Sequence, residues 1–313
     1  MKLFYYLKNF VYNALPEAYF KHQYKKLKQL EKQFDPQIIN YRLNYYCKLS
    51  QKFEVPLNTT SIKKFKRTKG TGYYFDLKEF LHYFKPATKF TYLFGDDTNV
   101  SAHPTIIKAR PILGNNQNSV LFKLNKRRHF KWVNDKTSFK EKQNKLVWRG
   151  GAYWPLRKNF VTQFYHHPLC NVGQTNTPIE NVAWQKGFMS VSEQLQYKFV
   201  LCLEGNDVAT NLKWVLSSNS LCFMPKPKYE TWFMEGTLTA GKHYVLLNDD
   251  YSNLEECITY YSQNVREAET IILKANEYIK QFQNKQLENL LCIKVLEKYA
   301  ELSGQTEALK FAM

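Results

Sequence analysis

Apolar residues change their spacing twice along this chain. Near the start, Leu3, Phe4, Leu7, Phe10 and Val11 recur at three- and four-residue intervals, and Tyr19, Phe20 and Tyr24 continue the pattern between Lys21, Lys25, Lys26 and Lys28. This is helical spacing. Two readings suit it: an interfacial helix with its apolar stripe in a membrane boundary, or a surface helix packing that stripe on a core. Both hold if only the basic face meets lipid. From about Gly70 to Lys145 the pattern becomes short apolar runs closed by turn residues, as in Phe90-Thr91-Tyr92-Leu93-Phe94 before Gly95-Asp96-Asp97-Thr98, and Ser119 to Leu124. These predict strands ending in polar loops. The lysine-rich stretch Lys136 to Lys145 reads as a linker.

Beyond it strands and helices alternate. Strands are predicted at Lys145 to Trp148, Leu169 to Val172, Tyr197 to Leu203, Leu221 to Met224 and His243 to Leu247, with helices at Leu156 to His166 and Val208 to Ser217. Short connections between them predict a mostly parallel sheet covered on both faces. Apolar positions Ile258, Tyr261, Val265, Ala268, Ile272, Ala275 and Ile279 predict one long helix.

Composition narrows the class. A chain of 313 residues, 44% hydrophobic with 12 Gly and 11 Pro, is folded and has room for two domains. Residues 1–70 hold 13 Lys and 2 Arg against Glu17, Glu31, Asp35 and Glu54, so +11 of the total charge of +18 sits there. Such an excess points to a polyanionic partner: nucleic acid, anionic lipid or a nucleotide diphosphate. The six cysteines are widely spaced, with no C-x-x-C and no His at ligand spacing, which argues against zinc and for a reducing cytoplasm. No run reaches the roughly 18 apolar residues of a membrane span. The expectation is a cytoplasmic protein, soluble or attached to a membrane surface.

In a parallel α/β sheet, ligands collect beyond the carboxyl ends of the strands. Three loops have suitable chemistry. Trp148-Arg149-Gly150-Gly151-Ala152, with Arg157 beyond, combines backbone N–H groups that an anion can approach with guanidinium donors. Glu204-Gly205-Asn206-Asp207-Val208-Ala209-Thr210-Asn211-Leu212-Lys213 lies between a buried strand and a predicted helix, so a diphosphate at the helix N-terminus and simple capping by Asn206 or Asp207 both fit. Gly95-Asp96-Asp97 offers acids for a metal or for a general base, or only a turn. His103, His129 and His243 are scattered and read as structural. Neither a Walker A loop nor G-x-G-x-x-G is present.

Taken together, Trp148-Arg149-Gly150 with Arg157, the run Lys198 to Trp214, Tyr229-Glu230-Thr231-Trp232-Phe233, and Leu238 before His243-Tyr244-Val245 resemble glycosyltransferase family 90. That family includes CAP10-type fungal enzymes, animal protein O-glucosyltransferases (Rumi) and bacterial LpsA-like lipopolysaccharide core transferases. The likeness is strongest to the last group, through Phe94-Gly95-Asp96, Pro104 to Pro111 and Arg128-His129-Phe130, and covers about residues 90–260.

The resemblance implies a GT-B fold: two Rossmann-like α/β domains facing a cleft, here with a helical basic N-terminal segment. Residues 1–143 would be the acceptor-side domain, 144–286 the nucleotide-sugar domain, and 287–313 a helix packing back on the first. It implies an inverting transfer of glucose or galactose from a UDP-sugar without a catalytic metal or other cofactor. By motif position the general base falls on Asp96, with Asp97 the less certain neighbour. Arg149, Gly150, Gly151, Arg157, Asn206, Asp207, Val208, Ala209, Thr210, Asn211 and Lys213 would bind the donor, its cations stabilising the leaving diphosphate. The acceptor would be lipid-anchored oligosaccharide of the lipopolysaccharide inner core, reached from the cytoplasmic face of a Gram-negative inner membrane, whose anionic surface suits the +11 segment. A capsule or protein acceptor is the alternative within the family. A nucleic-acid binder is the alternative outside it, resting on Lys63-Lys64-Phe65-Lys66-Arg67 without any recognised motif, and nucleic acid is therefore not the expected partner.

Overall fold

The computed structural model describes residues 2–68 and 70–311, without the side chains of residues 2–4, so Leu3 and Phe4 of the apolar stripe and the last two residues of the expected C-terminal segment lie outside it. The chain forms two compact units: residues 1–127, 229–234 and 282–313 make the first, and 128–228 with 235–281 the second.

The first unit opens with helices α1 (Lys2–Asn13), α2 (Glu17–Glu31), α3 (Pro36–Tyr46) and α4 (Thr71–Leu81). Asp35 caps α3 by accepting from the Gln37 N–H, and Pro36 supplies the preset φ of a first helical turn. Strands β1 (Thr105–Ile107), β2 (Ala109–Pro111) and β3 (Ser119–Leu121) follow, β1 parallel to β3. The expected strand at Phe90–Phe94 reduces to a bridge between Tyr92 and Ile106: Leu93 N–H and Thr91 C=O pair with Ile106, while the Thr91 N–H turns to the hydroxyl of Tyr299 over 3.1 Å. A short helix, α5 (Lys126–His129), lies where the chain leaves this unit.

The second unit is a parallel sheet of β4 (Gln143–Gly150), β5 (Cys170–Gln174), β6 (Tyr197–Leu201), β7 (Leu221–Met224) and later β9, interleaved with α6 (Pro155–Phe164), α7 (Val191–Gln194) and α8 (Leu212–Val215). After β7 the chain contributes β8 (Tyr229–Thr231) to the first unit, antiparallel to β2, then returns for β9 (Val245–Leu246), α9 (Leu254–Gln263) and α10 (Val265–Lys280). Strand order is β5-β4-β6-β7-β9, all parallel. Leu146, Trp148, Phe199, Leu201 and Phe223 face one side and pack with Phe160, Phe164, Leu254, Ile258 and Ile271. Val147, Val200 and Cys222, pointing the other way by the two-residue period, are buried as well, so both faces are covered.

Three further predicted elements differ. Lys136–Lys145 is no linker: Phe139 is buried in this core, and the ammonium of Lys142, buried with it, pairs with Asp135 over 2.6 Å. The long helix is broken at Asn264, whose ψ of 58° leaves the helical region while its side-chain amide takes the Tyr260 carbonyl. The helix expected at Val208–Ser217 shrinks to Leu212–Val215, because the amide of Asn211 reaches back to the Leu201 carbonyl over 2.8 Å and holds Val208–Thr210 as loop.

The last helix, α11 (Lys285–Leu302), packs on α2 and α3 of the first unit. Its buried Glu288 accepts from Arg42, from Lys123 over 2.6 Å and from the Trp232 indole over 2.8 Å. Trp232 stacks on Tyr46 at 3.7 Å between ring centres. A buried carboxylate with this many donors is compensated for leaving water.

Candidate active site

In the first unit the corner Gly95-Asp96-Asp97 follows the Tyr92 bridge. Gly95 has φ of +130°, a conformation open to glycine and strained for other residues, and this sets the direction in which Asp96 leaves the corner. The two acids differ in what holds them. Asp96 Oδ1 accepts from the hydroxyl of Tyr73, on α4, over 2.8 Å and from the ammonium of Lys108, between β1 and β2. The Lys108 side chain is 1% exposed and that of Asp96 28%, so the carboxylate is anchored from beneath and reaches solvent. Asp97 accepts from the backbone and side-chain N–H groups of Asn99 at 2.8 and 2.9 Å, which makes it the closing residue of a turn. Tyr73 itself accepts from Asn125 over 3.3 Å and packs on Phe94.

Two further sequence blocks meet in the first unit. Arg110, from the block Pro104–Pro111, donates to Glu230, from the block Tyr229–Phe233, over 2.8 Å, and to the carbonyls of Tyr45 and Ser119. Both charged groups are buried. These residues build the unit.

In the second unit the sheet order places its switch point between β4 and β6, where chain connections leave in opposite directions and loops open a crevice. Arg149 and Gly150, expected in a loop, are the last two residues of β4, paired with Gly173 and Gln174 of β5; Gly151 follows the strand, and the loop after β6 carries Asn206 and Asp207. Arg157, in the first turn of α6, joins them. Its guanidinium donates to the carbonyls of Gly151, Leu203 and Glu204 at 3.2, 2.8 and 3.0 Å. A Cβ on Gly205 would lie 3.0 Å from Arg157 Nη2, and one on Gly150 2.9 Å from the Trp148 ring, so both glycines permit this close approach.

Arg149 lies along the sheet. It donates to the carbonyls of Trp148 and Asn171 and to Asn171 Oδ1 at 2.7 to 2.9 Å, while its buried Nε has no partner among the described residues. Burial lowers its pKa. The stem of Lys186 crosses Gly173 nearby, and burial, then the Arg149 charge, lowers its pKa too. Two cations pressed together favour an anion beside them.

Val208 and Ala209 line a narrow groove with Leu156, Cys202, Leu212 and Met224 as apolar lining, and with Glu204, Lys226, Lys228 and Asp249 among the charged residues around it. Asn206 is exposed, Asp207 buried and Thr210 half-buried. Lys213 does not fit the role of a diphosphate cation. It is fully buried and paired with Glu235, because its short helix turns the side chain into the unit. Sequence reasoning missed Lys226 and Lys228, although the segment Met224-Pro225-Lys226-Pro227-Lys228 at the end of a strand is a readable loop signal. It missed Tyr73 and Lys108 because nothing local links them to Asp96. Among the described residues, no group of three or more His, Cys, Asp or Glu is arranged to hold a metal ion.

The profile of Glycosyl transferase family 90 matches residues 123–308. The chain is also 45% identical over 264 residues to the O-glucosyltransferase LpsA of Dichelobacter nodosus, an alignment covering 84% of this chain and 83% of that protein.

Proposed function

The chain belongs to glycosyltransferase family 90 and is a glycosyltransferase; from that premise we propose that it moves glucose from UDP-glucose to the inner core of lipopolysaccharide or lipooligosaccharide, with inversion. Glucose rather than galactose is favoured by the relative, which is an O-glucosyltransferase. The nucleoside lies along the apolar wall of Val208, Ala209 and Met224, and the diphosphate beside Gly150–Gly151 and Gly205–Asn206, where Arg157 and Arg149 offset its charge. Asp96 removes the proton from the acceptor hydroxyl as that oxygen attacks the anomeric carbon, and UDP departs from the opposite face. The cations are side chains, and the reaction proceeds in EDTA.

The observation that carries this reading is the Arg157 tie, which fixes two family motif loops at the switch point of a parallel sheet. A thermal-shift panel with UDP, GDP, CMP, UDP-glucose and UDP-galactose, with and without EDTA, tests it. A ligand at 100 times its Kd stabilises a protein by about 2.7 kcal/mol. A shift selective for UDP and UDP-glucose and indifferent to EDTA is expected; no shift with any nucleotide refutes the donor assignment.

A further inference from the structure

Helix α1 is docked the wrong way round for an ordinary surface helix. Its inner face is the polar one: Tyr5 donates to Asp76 Oδ1 of α4 over 2.7 Å, Asn9 is buried, and Tyr12 packs edge-on against Phe20 and His82. Asn13 Oδ1 closes the contact by accepting from His82 Nε2 over 2.9 Å. The opposite face carries Leu7, Phe10 and Val11, which are 59%, 73% and 53% exposed, with Ala14 exposed beyond them. Apolar residues at positions i, i+3 and i+4 are thus turned into water by a helix whose tyrosines hold it to the protein. Such a contiguous stripe marks an interaction surface.

Charge identifies what it meets. Lys8 is exposed on α1, and α2 turns Phe20, Tyr24 and Leu27 inward and Lys21, Lys25 and Lys26 outward. An apolar stripe beside clustered lysines complements the acyl boundary and headgroups of an anionic bilayer. A second copy of this chain, itself +18, would instead bring like charges together. At 12 residues α1 is too short to span a membrane, and no described helix is long and apolar enough to do so.

We propose that α1 lies in the plane of an anionic membrane with Leu7, Phe10 and Val11 inserted and the lysines of α1 and α2 on the headgroups. The surface acts without the glycolipid acceptor and is independent of the donor loops.

Co-sedimentation of the full chain with vesicles of phosphatidylglycerol and phosphatidylethanolamine, or of phosphatidylcholine, all free of glycolipid, tests this. The chain is expected to pellet with the anionic vesicles. A triple variant, Leu7→Gln with Phe10→Gln and Val11→Gln, is expected to bind at least about tenfold more weakly with an unchanged Tm. Lys21→Gln with Lys25→Gln and Lys26→Gln is expected to lose the preference for anionic lipid. In Phe10→Trp, the indole emission is expected to shift to the blue on those vesicles. Equal binding by the wild type and the apolar triple variant, or no vesicle binding by the wild type, overturns the proposal. So does a wild-type dimer that the apolar triple variant renders monomeric while vesicles stay unbound. The UDP-induced thermal shift, read on the same samples, reports the donor reading separately.

Discussion

The hydroxyl of Tyr73 donates to Oδ1 of Asp96 over 2.8 Å, and that oxygen also accepts from Lys108. Three stretches far apart in sequence, namely α4, the Gly95 corner and the β1–β2 junction, converge to orient one carboxylate. Tyr73 and Lys108 are therefore expected to act as positioning residues. Tyr73→Phe is expected to lower kcat about tenfold, the effect of losing a hydrogen bond to a charged group worth about 1.5 kcal/mol, with KM for UDP-glucose unchanged. A rise in KM with kcat intact, measured in steady-state transfer assays, would assign Tyr73 to donor binding instead.

Arg157 tests the other unit. Arg157→Ala removes three carbonyl contacts and is expected to destabilise the protein by about 3 kcal/mol in denaturant unfolding and to abolish the UDP-induced thermal shift. Arg157→Lys should recover little, since an ammonium lacks the fork that spans both loops. Unchanged UDP affinity in Arg157→Ala would remove the donor site from these loops.

Lys213 separates a structural from a ligand-binding cation. Lys213→Ala leaves Glu235 buried without this counter-ion and is expected to cost about 3–5 kcal/mol of stability, whereas Lys213→Met with Glu235→Leu recovers much of it. If Lys213→Ala keeps its Tm and loses UDP binding, the lysine faces the ligand after all.

Acid sensitivity has a defined source. His82 is stacked on Phe20 at 4.3 Å, and burial, then Lys78 and Lys310, push its pKa down from 6.5 to about 4. Between those values the unfolded chain binds more protons than the folded one, so stability from this group is full above pH 6.5 and falls as pH drops toward 4. The Tm of the wild type is expected to decline over that window. His82→Gln is expected to show a shallower decline, whatever its Tm at pH 7; an identical slope would place the acid sensitivity elsewhere.

How far the sequence could be read depended on whether a signal was local. Strands such as Leu221–Met224 were legible because buried parallel strands are continuous apolar runs, and the loop after Leu203 because its glycine and charges stand at a strand end; the loop expected after Trp148 begins two residues later, because Arg149 and Gly150 still pair with β5. The partners of Asp96 were not, since Tyr73 and Lys108 reach it only through tertiary folding. Lys213 was misjudged because a lysine beside a motif loop looks solvent-facing until Glu235 is seen beneath it. The apolar stripe of α1 was visible as a helix, but its outward direction was not: periodicity gives a face, and only the tyrosine contacts with α4 fix where it points.

The most direct measurement is transfer of labelled glucose from UDP-glucose to lipooligosaccharide inner core by Asp96→Asn and Asp97→Asn, with UDP binding read in parallel. Asp96→Asn is expected to lose about 100- to 10,000-fold in kcat while binding UDP normally, and Asp97→Asn, which alters only a turn, to stay within about threefold of wild type. Near-normal transfer by Asp96→Asn, or the large loss falling on Asp97→Asn, would contradict it.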